Sequence, residues 1–362
     1  MPVAVSMTTL LLGCGALNET GKSGDARPTK GDDLTVGLLM PETTNTRYVN
    51  FDYPIIKRRI SELTENQGKV QYANAGASAS KQAQQMQKMI DGRVDIILLD
   101  AVDSHAVCGL VKKAKNAGIP VIAYDRLAEG PIDAYVSFDN ELVGEVQGRT
   151  LLAAMGPEVD PSTKIVMMNG SPTDPNAAQF KKGALSELKG KVTIAKSYDV
   201  RDWSPDLAQD RMTEALDTIG ADDIAAVYSA NDSMAGGIVR AMKAAGISRI
   251  PPLTGQDADL DAVQRIVTGK QYMSIYKPYP DEAEVAAEMA VYKAQGKGIQ
   301  FDALTQDHVD SPTDKDIPAQ LVAVSALTQK NIKATVVADG VYKISDICIA
   351  KFAAACMAIG LD

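Results

Sequence analysis

Short apolar runs alternate along this chain with longer stretches whose apolar residues recur every three or four positions. These are the periods of buried strands and amphipathic helices. The run 34–40 (LTVGLLM) predicts a strand, and 52–66 carries apolar and charged residues at helical spacing. Strands are predicted over 69–75, 94–100, 119–125 and 134–139, with helices over 78–92 and 104–117 between them. Gly92 and Gly118 stand where those helices should end. The apolar 94–100 (VDIILLD) has the character of a central parallel strand. After a long helix over 140–155 the alternation restarts. Strands are predicted at 164–169, 191–197, 224–229, 250–254 and 271–276, with helices at 174–189, 204–219, 232–245 and 259–268. A further helix is predicted at 280–296. Residues 301–345 read as irregular, with a short strand near 320–324 and a helix near 328–337. The fold class is therefore α/β, built as two doubly wound parallel-sheet units with right-handed crossovers.

The length of 362 residues suits two domains. A net charge of −9 leaves no electrostatic footprint for nucleic acid, which excludes it as a partner. Two histidines and four cysteines, without CxxC or HxxxH spacing, exclude a Cys/His zinc cluster. This count leaves a carboxylate-rich metal site open, but no metal and no cofactor is expected. The apolar run at residues 3–12 is too short to span a bilayer but has the length of a signal-peptide core. Leu11-Leu12-Gly13-Cys14 resembles a bacterial lipobox, whose cysteine is lipidated and becomes the mature N-terminus. No Lys or Arg precedes Cys14, so the usual positive start is missing. The other reading is an apolar strand with a buried cysteine. Residues 1–14 are thus expected to be a lipoprotein signal peptide and 15–33 a flexible tether.

Ligands of open parallel sheets sit outside the carboxyl ends of the strands. At those ends stand Arg47 and Tyr48, then Asp100, then Asp125 and Arg126. The second unit presents Asp174 and Asn176, the single tryptophan Trp203, Asn231 and Asp232, Gln256 and Asp257, and Lys277. Planar groups such as Asp, Asn and Arg engage adjacent hydroxyls in pairs, and aromatic rings pack on the C–H faces of a sugar. Asp125 beside Arg126 reads as an anchoring pair. For each residue a plainer role stands beside this one. Asp or Asn at a strand end often caps the next helix, as Asp232 and Asp259 suggest, and a lone tryptophan is often core.

The same positions resemble a known family, the periplasmic xylose-binding and multiple-sugar-binding proteins of bacterial ABC transporters, whose fold is that of type I periplasmic binding proteins. The shared motifs are YDR (124–126), SFDNE (137–141), GSPTDPNA (170–177), SANDSMAGG (229–237), GQDADL (255–260), YKP (276–278) and NIKATVVADGVY (331–342). The resemblance implies two lobes hinged by three crossings, near 127–133, Lys277 and 305–315. It implies an N-terminal lobe of 34–127 plus 278–310 and a C-terminal lobe of 128–277 plus 311–345. The implied sugar contacts are Arg47, Tyr48, Asp125, Arg126, Asp174, Asn176, Trp203, Asn231, Asp257 and Lys277. Tyr48 stands where the family usually has Trp. The implied ligand is a monosaccharide, xylose first and glucose or galactose next. The implied partner is an ABC transporter permease, with the chain acting as a monomer, either held to the outer face of the cell membrane through its lipid or periplasmic.

Residues 346–362 extend past the usual end of that family. Cys348 and Cys356 could bond only across a break in a helix, and two buried thiols is the other reading. Cys108 is expected in the core. A sensory receptor would share all these features. A sugar-responsive repressor would need a helix-turn-helix and a basic surface. A hydrolase or nucleotide enzyme would need GxSxG, GxxxxGK[ST] or GxGxxG after a strand, and none occurs. The chain is therefore read as a binding protein and not an enzyme.

Overall fold

The computed structural model describes residues 29–361. The predicted leader, Cys14 and most of the tether lie outside them. The chain enters β1 (Thr35–Met40), and a wide turn over Tyr48–Asp52 leads into α1 (Tyr53–Leu63). β2 (Lys69–Asn74), α2 (Ala79–Asp91), β3 (Ile96–Leu99), α3 (Cys108–Asn116), β4 (Val121–Tyr124) and β5 (Ala134–Phe138) follow. Ser78 caps α2 by accepting the Lys81 N–H, and Cys108 is buried on α3. All four residues of β3 are buried, as suits a strand covered on both faces.

The second unit comprises α4 (Asn140–Met155), β6 (Lys164–Asn169), α5 (Pro175–Leu188), β7 (Thr193–Asp199), α6 (Pro205–Ile219), β8 (Ala226–Ser229), α7 (Asp232–Ala244), α8 (Leu260–Val267) and β9 (Ser274–Tyr276). Then come α9 (Tyr279–Ala294), α10 (Gly298–Leu304), β10 (Asp307–Val309), β11 (Ile317–Val322), β12 (Ser325–Leu327), α11 (Ile344–Ile347) and α12 (Ala353–Ala358).

One sheet has the order β10-β11-β5-β4-β3-β1-β2, parallel except for β10 against β11. A second, parallel sheet has the order β7-β6-β8, and β9 pairs antiparallel with β12. Apolar side chains from α1 and α9 pack on one face of the larger sheet, and those from α2 and α3 on the other. The second sheet has its own core. There α4 and α5 meet at glycines, since a Cβ on Gly144 would lie 2.0 Å from the Phe180 carbonyl oxygen.

The sheets redraw the expected lobe boundaries. β5 pairs with β4, and β11 with β5, so both belong to the first sheet and not to the second lobe. The chain crosses between lobes at Asp139, at Lys277–Pro278 and at residues 323–324, rather than near 127–133 and 305–315. An apolar strand reads alike whichever sheet it joins; only its hydrogen-bond partner decides. The strand predicted at 250–254 shrinks to one bridge between Leu253 and Val227. Pro251 and Pro252 lack the N–H groups a ladder needs. Only a wide turn, Lys333–Val337, replaces the helix expected near 328–337.

Residues 346–361 fold onto α8. Ile347, Cys356 and Leu361 are buried there with Val263, Ile266 and Val267. Cys348 and Cys356 are bonded, with their Cα atoms 5.9 Å apart. The chain between α11 and α12 supplies the necessary helix break.

Candidate ligand-binding site

The carboxyl ends of the two sheets face one another across a cavity of about 350 Å³. All ten residues singled out in the sequence line it, and each is at most 7% exposed.

Arg47 follows β1 and is wholly buried. Its Nη1 donates to Asp125 Oδ2 at 2.7 Å, its Nε to Asp52 Oδ2 at 2.9 Å, and its Nη2 to Glu282. Three carboxylates around one guanidinium leave an excess of negative charge. Burial therefore pushes Glu282 up to about 8, against the pull of Arg47. Asp125 responds oppositely. Burial alone would raise it, but Arg47, Lys277 and Arg126 together hold it below the usual aspartate value.

Asp125 occupies the left-handed region at φ +56°, which Asp tolerates better than most residues. The two consecutive side chains take different partners, so Asp125 and Arg126 make no direct ion pair, although the Arg126 charge still lowers the Asp125 carboxyl. Asp125 faces Arg47, whereas Arg126 reaches across the cavity. Its Nε lies 2.9 Å from Asp174 Oδ2 and 3.5 Å from Asp100 Oδ1.

Asp174 performs two tasks at once. Its Oδ1 caps α5 by accepting the Asn176 N–H at 2.9 Å. Its Oδ2 faces Arg126 and accepts the Trp203 Nε1–H at 3.2 Å. Asn231 likewise caps α7 through the Met234 N–H while lining the cavity. Trp203 lies flat over Gly170, where a Cβ would come within 2.0 Å of the ring. The ring belongs to the second lobe's core and also lines the cavity. Asp257, at φ +97°, accepts from Asn45 Nδ2 at 2.9 Å and faces Lys277 Nζ at 3.4 Å. Lys277 sits between the rings of Phe138 and Phe180, 5.1 and 5.3 Å from their centroids. Tyr48 is buried at the cavity wall beside the Arg47 guanidinium.

Comparisons with known proteins identify the family. The model of the periplasmic binding protein domain matches residues 36–298. This chain belongs to the periplasmic binding protein family. It is 34% identical to the D-xylose-binding periplasmic protein of Haemophilus influenzae, over 94% of this chain and 97% of that one. It is 30% identical to the multiple sugar-binding periplasmic receptor of Rhizobium radiobacter, over 86% and 92%. Among solved structures, an ABC transporter solute-binding protein from Clostridium phytofermentans with bound β-D-glucose superposes with a TM-score of 0.79 at 26% identity, covering 86% of this chain and 99% of that one.

Several residues of this periplasmic binding protein's cavity escaped the sequence reading. Glu42 and Asn45 follow β1, a strand end where they could have been sought. Gln256 stood in the strand-end inventory beside Asp257, and Phe180, on a helix, gave no signal. Asp52 and Glu282 brace Arg47 from behind, and Asp100 lies buried behind Arg126. Burial raises the Asp100 carboxyl well above its usual value. Asp232 is not a cap. Its carboxylate turns inward and accepts from Gln271 Nε2 at 2.6 Å, Ser274 Oγ at 2.7 Å and the Asp259 N–H at 3.0 Å. Asp259 makes no side-chain capping bond.

Proposed function

We propose that this protein captures a monosaccharide between its lobes and delivers it to an ABC importer. The observation that carries the reading is the cavity wall. Arg47, Asp125 and Arg126 come from one lobe, and Asp174, Asn176, Trp203, Asn231 and Asp257 from the other. A sugar hydroxyl both donates and accepts, so it is satisfied only when both sets close on it. Ligand binding then shifts the hinge equilibrium toward the closed state. Lys277 and the other site residues act by binding, and no step of bond chemistry is assigned to them.

D-Xylose leads as the ligand because relatives at 33–34% identity over nearly the whole chain carry that name. Glucose is the second reading, favoured by the glucose-bound structural relative. In this reading Cys14 carries the lipid anchor, and radiolabelled palmitate should enter the full chain but not a Cys14→Ala variant. Calorimetric titration with xylose, glucose, galactose, arabinose and ribose tests the function. One of them should bind with a dissociation constant of micromolar order or tighter, and absence of heat with all five overturns the reading.

A further inference from the structure

A second concave site lies away from the cleft, between α7, α8 and the C-terminal segment. It is an open groove of about 250 Å³, and four cations line it: Lys243, Arg265, Lys270 and Lys351. Asp261 is the sole carboxylate in its lining. The protein as a whole carries −9, so this concentration of positive charge runs against its average.

The cations come from separate places, and Arg265 is held in position by hydrogen bonds. Arg265 is fixed by its Nε bond to Gln271 Oε1 at 2.9 Å and by an Nη2 bond to the Asp232 carbonyl at 2.8 Å. Lys351 and Phe352 ride on the loop closed by the Cys348–Cys356 bond. Gln264 Nε2 ties that segment to α8 by donating to the Asp346 carbonyl at 3.0 Å. Some lysines elsewhere, such as Lys115 and Lys182, hold a carboxylate, and others, such as Lys57 and Lys112, hold none among the described residues. Lys243, Lys270 and Lys351 have no ion-pair partner among the described residues. Lys243 is exposed yet sits below the usual lysine value, through some loss of hydration and then through Lys270, Lys351 and Arg265. Gathering like charges in a groove costs folding energy that a bound anion returns.

We propose that this groove binds a phosphate group, with Arg265 as its fixed donor and Lys243, Lys270 and Lys351 closing around it. A phosphate presents several strong acceptor oxygens and more than one negative charge, which suits convergent ammonium and guanidinium donors. The sugar cleft plays no part, so this site stands or falls independently of the sugar reading.

The test uses the full chain at low ionic strength with two phosphate sources. Inorganic pyrophosphate is titrated by calorimetry, and vesicles of phosphatidylglycerol are compared with vesicles of phosphatidylcholine in co-sedimentation. Saturable 1:1 binding of pyrophosphate supports a free phosphate ligand. Retention on phosphatidylglycerol vesicles alone supports a lipid headgroup. In either case 200 mM NaCl and a Lys243→Gln/Lys351→Gln variant should each weaken binding about tenfold or more. An unchanged thermal midpoint establishes that the variant is folded. Absence of binding to both sources overturns the proposal, as does a folded variant that binds as well as the parent.

Discussion

Asn176, at the start of α5 in the second lobe, donates from Nδ2 to both the carbonyl oxygen and Oδ1 of Asp125, at 2.9 and 3.1 Å, at the end of β4 in the first lobe. The two lobes thus meet through a donor on one side and a carboxylate on the other.

Replacing that donor reverses the contact. Asn176→Asp keeps the shape but sets one carboxylate against another, and it removes both buried hydrogen bonds. Sugar affinity should fall about 10- to 100-fold, or roughly 1.4–3 kcal/mol. Calorimetry measures the loss, and an affinity within twofold of the parent would show that the contact does not contribute to closure.

Trp203 offers an optical test. It is the single tryptophan, it lines the cavity, and its indole N–H bonds Asp174. Adding the cognate sugar should change the intrinsic emission of the protein saturably. Gly170→Ala should displace the ring, because the added methyl would stand 2.0 Å from it. We expect that substitution to weaken sugar binding by tenfold or more and to lower the thermal midpoint by several degrees. Unaltered emission and affinity in the alanine variant would separate Trp203 from the site.

Stability should also respond to pH through Asp232. Burial pushes its carboxyl from 3.8 up to about 7. Between those values the folded protein binds a proton that the unfolded chain has released. Stability from this group is therefore full below about pH 4 and declines as pH rises toward 7, at no more than about 1.4 kcal/mol per pH unit. Asp232→Asn should flatten that part of the profile. Urea unfolding of both proteins between pH 5 and 8 measures the difference, and identical slopes would refute the assignment.

The C-terminal bond should matter for stability more than for the sugar. It links residues eight apart in sequence, so the chain-entropy contribution is about 2–3 kcal/mol. Cys348→Ser/Cys356→Ser should lower the thermal midpoint, with the C-terminal segment exchanging its amide hydrogens faster. Sugar affinity should stay within twofold, since neither cysteine lines the cleft. A large loss of sugar affinity would instead tie this segment to closure.

Much of this protein was legible from local pattern. Period and apolar runs depend on neighbouring residues, so β3, α4 and the alternation that makes two α/β units could be read directly. Strand ends sit beside the ligand in any open parallel sheet, and on that rule alone Arg47, Asp125, Asp174, Asn231, Asp257 and Lys277 could be listed together. Pairings are another matter, because they are set by contacts between residues far apart in the chain. Whether β5 and β11 join the first or the second sheet is decided by hydrogen-bond partners, not by their apolar character. Asp125 pairs with Arg47 and Arg126 with Asp174, which no spacing reveals. Burial placed Asp52 and Glu282 behind Arg47 and gave Asp174 and Asn231 both a capping and a lining role. The sequence by itself determined which chemistry stands at each strand end; the tertiary structure alone decided which groups face one another, because charge and burial act through space.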